Sequence, residues 1–110
     1  MMPNKWEIWM ASFAYEDKPD QVSDRPVLVL ENKEMYPVLV TKITKHASRE
    51  GYTGEYSIKK WKEAGLDYPS TVRLAKRLKL QETDFRRKRG RLHPIDIIEI
   101  QKILSEMKPA

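Results

Sequence analysis

One segment of the sequence predicts a buried strand with a cation at its mouth: Asp24-Arg25-Pro26-Val27-Leu28-Val29-Leu30. Proline is tolerated only at the start or the edge of a strand. Here four apolar residues follow it without alternation, as in a short strand covered on both faces. A guanidinium stays charged near neutral pH, so beside a core strand it either forms an ion pair or binds an anion. We predict that Arg25 binds an anion.

Length and composition predict one globular domain over residues 1–110. The hydrophobic content is 40%, the charged content is 34%, and no apolar run approaches the ~20 residues that cross a bilayer. The sequence has no Cys, which excludes disulfides, thiolate nucleophiles and Cys-ligated zinc. The only histidines are His46 and His93, so we expect neither a metal nor another cofactor. No secretory signal is recognisable, and we expect a cytoplasmic protein without membrane contact.

Positive charge is concentrated in about a third of the chain. The net charge is +5. Residues 1–58 hold seven Lys/Arg against nine Asp/Glu, residues 59–91 hold twelve against four, and residues 92–110 hold two against three. An excess of eight positive charges in one block is typical of a protein that meets phosphates, and a solvated basic face is the alternative.

Two neighbouring segments are predicted to form a sheet with the Arg25 strand. Residues 5–13 alternate aromatic and apolar side chains, which favours a strand. The polar residues 14–24 predict a flexible loop that covers a binding surface. Residues 36–45 predict another strand, one face of which ends in a cation, a hydroxyl and an imidazole: Lys42, Thr44 and His46. A hairpin would bring this row near Arg25, and an ordinary solvent-facing edge is the alternative.

The next segments predict a loop, a short helix and a strand. Residues 47–55 hold two glycines and predict a loop, and Ser57 is a plausible N-cap for a short helix that ends at Gly65. Residues 70–80 fit both strand and helix periodicity. The preceding Pro favours a strand with Arg73 and Arg77 opposite its leucines.

The last third holds the densest basic cluster, residues 86–91, and a predicted helix. Pro94 stands at the first turn of that helix. Its apolar stripe is Ile97, Ile100, Leu104 and Met107, widened by Ile95, Ile98 and Ile103. The helix is therefore expected to pack on the sheet or on a partner.

The order of these pieces resembles the MazF/PemK family of toxin-antitoxin endoribonucleases over nearly the whole chain. The matching motifs are Glu7-Ile8-Trp9, Arg25-Pro26-Val27-Leu28-Val29, Lys42-Ile43-Thr44, Ala64-Gly65-Leu66, Pro69-Ser70, Val72-Arg73 and Gly90-Arg91-Leu92. The resemblance implies a mainly β fold with short helices, as a small SH3-like barrel with a C-terminal helix. It also implies a homodimeric toxin, controlled by a cognate antitoxin, that cuts single-stranded RNA sequence-specifically and without metal.

The resemblance also assigns candidate site residues. Arg25 matches the family's catalytic Arg, Thr44 matches its catalytic Thr, and Arg73 matches a second catalytic Arg of the PemK branch. Ser70 and Lys42 lie in matching motifs and are further candidates for catalysis or RNA binding. The sequence departs from the family pattern at Trp6, Asp24, Lys45 and Ala75, and residues 14–24 lack the His that the PemK branch carries in this loop.

These residue types suit RNA cleavage by the RNA's own 2′-hydroxyl, which leaves a 2′,3′-cyclic phosphate. Arg25 would stabilise the charge of the phosphorane by bidentate contact, and Thr44 would donate a further hydrogen bond. The intrinsic pKa of an imidazole makes His46 a candidate general base, although a lone His is more often structural. Bases would stack on loop aromatics, for which the candidates are Tyr15, Tyr36, Tyr52, Tyr56 and Tyr68.

Two other functions fit the same sequence. One is a non-catalytic nucleic-acid- or protein-binding module on the same barrel, including a toxin that poisons a topoisomerase. The other is an interaction protein whose basic block, residues 86–91, binds only protein. In the first case Arg25 would be a structural ion-pair partner and Thr44 an ordinary strand residue.

Overall fold

The structure, a computed structural model, describes residues 2–14, 22–48 and 53–107. Its elements in chain order are β1 (Glu7–Ala14), β2 (Val22–Glu31), β3 (Val38–Thr44), β4 (Glu55–Ser57), β5 (Thr71–Leu80), a 3₁₀ turn (Glu82–Asp84), β6 (Phe85–Arg91) and α1 (Pro94–Glu106). Every strand pair is antiparallel, and the strand order is β4-β5-β3-β2-β1-β6. The predicted mainly β fold with a C-terminal helix is confirmed. The described sheet is open, with β4 and β6 at its edges, so it is a barrel only in a loose sense.

The strand that contains Arg25 is confirmed and is longer than predicted. β2 begins at Val22 rather than after Asp24, because Val22 and Asp24 pair with Ala14 and Ser12 of β1. These pairs satisfy backbone groups that a loop would leave to solvent. The predicted loop at residues 14–24 is therefore shorter than expected, and its residues 15–21 lie outside the described part.

Alternation along β1 places apolar side chains on both faces of the sheet, as predicted. Trp6 and Ile8 belong to one apolar cluster, and Trp9 and Ala11 belong to another. The first cluster packs under α1, and its strand members include Leu28, Ile43, Val72 and Leu74. The second lies on the opposite face and includes Val27, Val29, Val38, Val40 and Leu80. β2 and β3 contribute to both clusters and are therefore buried on both sides.

The predicted strand at residues 70–80 is confirmed, but its faces were predicted wrongly. The pairing with β3 is interrupted by a bulge, because Thr41 pairs with Arg77 whereas the adjacent Lys42 pairs with Arg73. Val72 and Leu74 therefore pack in the first cluster, whereas Leu78 and Leu80 pack in the second. The buried Thr41 hydroxyl stabilises the bulge by donating to the carbonyls of Arg73 and Lys76.

The short helix predicted after Ser57 does not form as a regular element. Residues 59–65 make a series of turns with separate backbone bonds, among them Ala64 N to Lys60 O at 3.0 Å and Leu66 N to Trp61 O at 3.0 Å. The N–H groups of Lys59 and Lys60 instead donate to the Asp96 carboxylate of α1, both at 2.9 Å. This tertiary capping replaces the side-chain cap predicted at Ser57.

The basic segment 85–91 forms the edge strand β6, which the sequence analysis did not predict. Its residues show no apolar alternation, and most of them are exposed. β1 supplies the hydrogen-bonding partner through pairs such as Glu7 with Arg91. Charged side chains at a sheet edge also oppose pairing with another sheet.

The predicted C-terminal helix is confirmed. His93 caps it by accepting a hydrogen bond from Ile95 N at Nδ1, 3.1 Å, and Pro94 occupies the first turn. Ile100 is fully buried on the sheet and Ile103 also packs there, whereas Ile95 and Ile98 are exposed, so the predicted widening of the stripe holds only at Ile103. Within the described ranges, no helix has the length and apolarity that crossing a membrane requires.

Candidate functional site

An open cavity of about 690 Å³ lies where the strand ends of β2 and β3 meet the turn that precedes β5. Its size is within the range of ligand-binding clefts. Its lining residues are Met10, Ser23, Asp24, Arg25, Pro26, Ile43, Thr44, Lys45, His46, Leu66, Asp67, Tyr68, Ser70, Arg73 and Arg89. Five of the six predicted site residues are among them, and Lys42 is not.

Strand register brings Arg25 and Thr44 to this cavity. β2 pairs with β3 up to the pair Val27 and Lys42. If this register continues by two residues along each strand, Arg25 lies opposite Thr44. Both side chains are then on the same face of the sheet as Val27. Both side chains are partly exposed and both line the cavity. Of the row that was predicted to lie near Arg25, Thr44 and His46 line the same cavity as Arg25 and Lys42 does not, and the roles of these residues remain predictions.

Arg73 enters the same cavity from β5, where it pairs with Lys42 on one side and Glu55 on the other. Its Nε lies 3.4 Å from Oε2 of Glu55, whose side chain is only 6% exposed. A buried carboxylate beside the guanidinium attracts it electrostatically and offsets its charge. Arg73 thus adds a cation to the cavity lining, and Glu55 partly offsets its charge.

The other three predicted site residues, Ser70, His46 and Lys42, differ in their contacts and in their position relative to the cavity. Ser70 is buried and its hydroxyl donates to the carbonyl of Tyr68 at 2.8 Å, which makes it a support of the turn. His46 is exposed at the cavity, and its backbone N–H donates to Thr44 Oγ1 at 3.4 Å. The Lys42 ammonium lies outside the lining, 5.6 Å from the ring centre of Phe13.

The sequence analysis missed one wall of the cavity, which Arg89 and Asp67 form. Arg89 donates from Nε and Nη2 to the carbonyl of Gly65, at 3.0 and 2.9 Å, and its Nη2 lies 2.9 Å from Asp67 Oδ2. The hydrogen bond from Arg89 lowers the pKa of Asp67 below its ordinary value. Two glycines permit this approach, since a Cβ on Gly90 would stand 2.2 Å from the carbonyl oxygen of Ala64. In the sequence, the only sign of this wall is the match of the Gly65 and Gly90 motifs to the family.

The cavity is a cationic surface with a polar donor. Its lining carries four cationic side chains, those of Arg25, Lys45, Arg73 and Arg89, against the carboxylates of Asp24 and Asp67. Guanidinium groups bind phosphate oxygens bidentately, and a hydroxyl adds a hydrogen bond without adding charge. The arrangement suits a phosphodiester with one or more neighbouring phosphates. In the described residues no group of three or more His, Asp or Glu side chains could hold a metal ion.

Two of three comparisons with known proteins found a match. A family model described as PemK-like, MazF-like toxin of type II toxin-antitoxin system matches residues 4–107. A solved structure described as an endoribonuclease in complex with its cognate antitoxin from a mycobacterial species is similar, with a TM-score of 0.68 and 14% sequence identity. That match covers 98% of this chain and 100% of the other. No curated protein matches.

Proposed function

Since the chain belongs to the PemK-like, MazF-like toxins of type II toxin-antitoxin systems, we propose that it cuts single-stranded RNA by attack of the RNA's own 2′-hydroxyl. The observation that carries this proposal is the convergence of Arg25, Thr44 and Arg73, from three adjacent strands, on one open cavity. Such a cluster can contact several oxygens of one phosphate at once. A barrel that only bound protein would not need it.

The reaction has a simple atom balance. The 2′-oxygen forms a bond to phosphorus, the bond from phosphorus to the 5′-oxygen breaks, and the products are a 2′,3′-cyclic phosphate and a 5′-hydroxyl. One proton leaves the 2′-hydroxyl and one reaches the 5′-oxygen. No metal is needed if the protein stabilises the charge that develops on the phosphorane.

Each site residue has a role in this step. Arg25 and Arg73 bind the non-bridging oxygens, and Thr44 donates a hydrogen bond to one of them. His46 is the only imidazole in the cavity lining, and we propose that it acts as the general base that accepts the proton of the 2′-hydroxyl. Ser70 and Arg89 act indirectly, because both hold the turn that forms the opposite wall.

We also propose the partners that this function requires. They are a single-stranded RNA substrate, a cognate antitoxin and a second copy of the chain. We propose that the protein meets them in the cytoplasm. The edge strand β6 offers an antitoxin exposed cations along its length, among them Arg86, Arg87 and Lys88. An acidic protein segment and an RNA would compete for such a surface.

A cleavage assay in EDTA tests the proposal. The purified protein is incubated with a long unstructured RNA, and the fragments and their ends are analysed. We expect cyclic phosphate ends, and a rate about 100- to 1000-fold lower for Arg25→Ala and Thr44→Ala. Lys79→Ala is the control for loss of one positive charge, because Lys79 is exposed at the far end of β5.

The same assay identifies the alternative function. Circular dichroism must first show that the variants remain folded. RNA that stays intact at micromolar wild-type protein, but is bound, would contradict cleavage and favour a non-catalytic binding module. Cleavage that EDTA abolishes would contradict the metal-independent step.

A further inference from the structure

Tyr68 is the tyrosine that the structure singles out among the three it describes. Its side chain is 54% exposed and lines the cavity. Tyr36 instead packs against the ring of Phe85 at 6.3 Å between centroids, and the hydroxyl of Tyr56 donates to Asp96. A large exposed ring at a cationic cavity leaves apolar surface in water, and a stacked ligand would cover it.

The backbone of the turn that carries Tyr68 is held on both sides of this residue. Ser70 donates to the Tyr68 carbonyl, and Arg89 clamps Gly65 and Asp67 on the other side. The Lys45 ammonium lies 4.4 Å from the ring centre of Tyr68. Because the backbone around Tyr68 is fixed, covering the ring with a ligand orders few additional groups.

The cavity lining combines an aromatic ring with several cations, and a nucleotide likewise combines a base with a phosphate. Aromatic faces stack nucleobases with little sequence preference, and guanidinium and ammonium groups bind the phosphates between them. Arg25, Lys45 and Tyr68 all line this one cavity, and the Lys45 ammonium lies beside the Tyr68 ring. A nucleotide whose phosphate binds Arg25 would therefore share the cavity with the Tyr68 ring.

We infer that Tyr68 is the base-stacking platform of the cavity and binds a nucleobase next to the phosphate held by Arg25. Lys45 contributes a contact to the neighbouring phosphate, and Arg89 is a positioning residue for the turn. The inference rests on the proposed function, because it takes single-stranded RNA as the ligand. Beyond that function, the inference identifies the side chain that stacks on a base.

A binding experiment with two uncleavable probes tests the inference. The first probe is a labelled 2′-O-methyl RNA of mixed sequence, which lacks the attacking hydroxyl. The second is an abasic strand of equal length. Anisotropy titrations compare the wild type with Tyr68→Ala, Tyr68→Phe and the control Met35→Ala. Met35 is also a large exposed residue, but it lies at the turn between β2 and β3.

We expect Tyr68→Ala to weaken binding of the base-bearing probe roughly 5- to 100-fold and to leave binding of the abasic probe unchanged. Tyr68→Phe and Met35→Ala should bind both probes as the wild type does. An equal loss on both probes, no loss for Tyr68→Ala, or a loss for Tyr68→Phe as large as for Tyr68→Ala would overturn the inference. So would a wild type that binds neither probe.

The outcomes also separate this inference from the proposed function. Stacking by Tyr68 without any RNA cleavage by the wild type would refute cleavage and leave the platform standing. Cleavage by the wild type, with Tyr68→Ala unchanged in binding and in the substrate concentration at half-maximal rate, would refute the platform alone.

Discussion

Replacing Asp96 by Ala should strongly destabilise the protein, because this carboxylate joins α1 to the chain that leads to the cavity. Asp96 is fully buried and accepts three hydrogen bonds. Two come from the backbone N–H groups of Lys59 and Lys60 at 2.9 Å, and the third comes from the hydroxyl of Tyr56. Asp96→Ala leaves all three donors without this acceptor.

The expected magnitude follows from those contacts. A hydrogen bond to a charged group contributes about 1.5–3 kcal/mol, and part of each loss is recovered where water reaches the freed donors. We therefore expect the free energy of unfolding to fall by about 3–5 kcal/mol, out of a total of about 5–15 kcal/mol for such a domain. Tyr56→Phe removes one donor and keeps the two backbone bonds, so its loss should be only about 1–2 kcal/mol.

Urea unfolding, followed by tryptophan fluorescence and far-UV circular dichroism, measures these losses. Glu106→Ala is the matched control, because Glu106 is an exposed carboxylate in the last turn of the same helix. Its unfolding free energy should change by less than about 0.5 kcal/mol. A loss below 1 kcal/mol for Asp96→Ala, or equal losses for Asp96→Ala and Glu106→Ala, would refute this account of how α1 is anchored.

Three further predictions concern groups around the cavity and the sheet. Although burial alone raises the pKa of Glu7, hydrogen bonds from Asn4, Trp9 and Lys88 outweigh it, so the net pKa lies below the ordinary value. The stability that Glu7 contributes is therefore present above about pH 4.5 and is lost as the pH falls through the folded pKa, so acid unfolding of Glu7→Gln should depend less on pH there. Arg73→Ala should cost about 2 kcal/mol, since Glu55 loses its ion pair, and adding Glu55→Gln should recover part of this stability in urea unfolding without restoring RNA cleavage. Gly90→Ala should destabilise by about 1–3 kcal/mol, because its methyl group would overlap the Ala64 carbonyl, and a thermal midpoint equal to that of the wild type would contradict the close approach.

The sequence predicted the centre of the sheet well, because the signals there are local. The apolar run after Pro26 and the alternation at residues 36–45 predicted β2 and β3, whose ends place Arg25 and Thr44 in the lining of one cavity. The helix at Pro94 followed from its cap and its period. Such features depend on residues close together in the chain.

Features that depend on distant residues were missed. The bulge of β5 reverses the facing of Leu78, and it needs the hydroxyl of Thr41 from another strand. β6 has no apolar pattern and becomes a strand because β1 offers an open edge. The wall formed by Arg89 and Asp67 depends on two glycines 25 positions apart, whose contact no local pattern encodes.

The most direct test of the account is the single-turnover rate of RNA cleavage in EDTA by the wild type, Arg25→Ala, Thr44→Ala and the double variant. If both residues act on one phosphate, each single variant should lose about 100- to 1000-fold, and the double variant should lose less than the product of the two. Folded single variants that cleave at the wild-type rate, or a wild type that leaves the RNA intact, would contradict it.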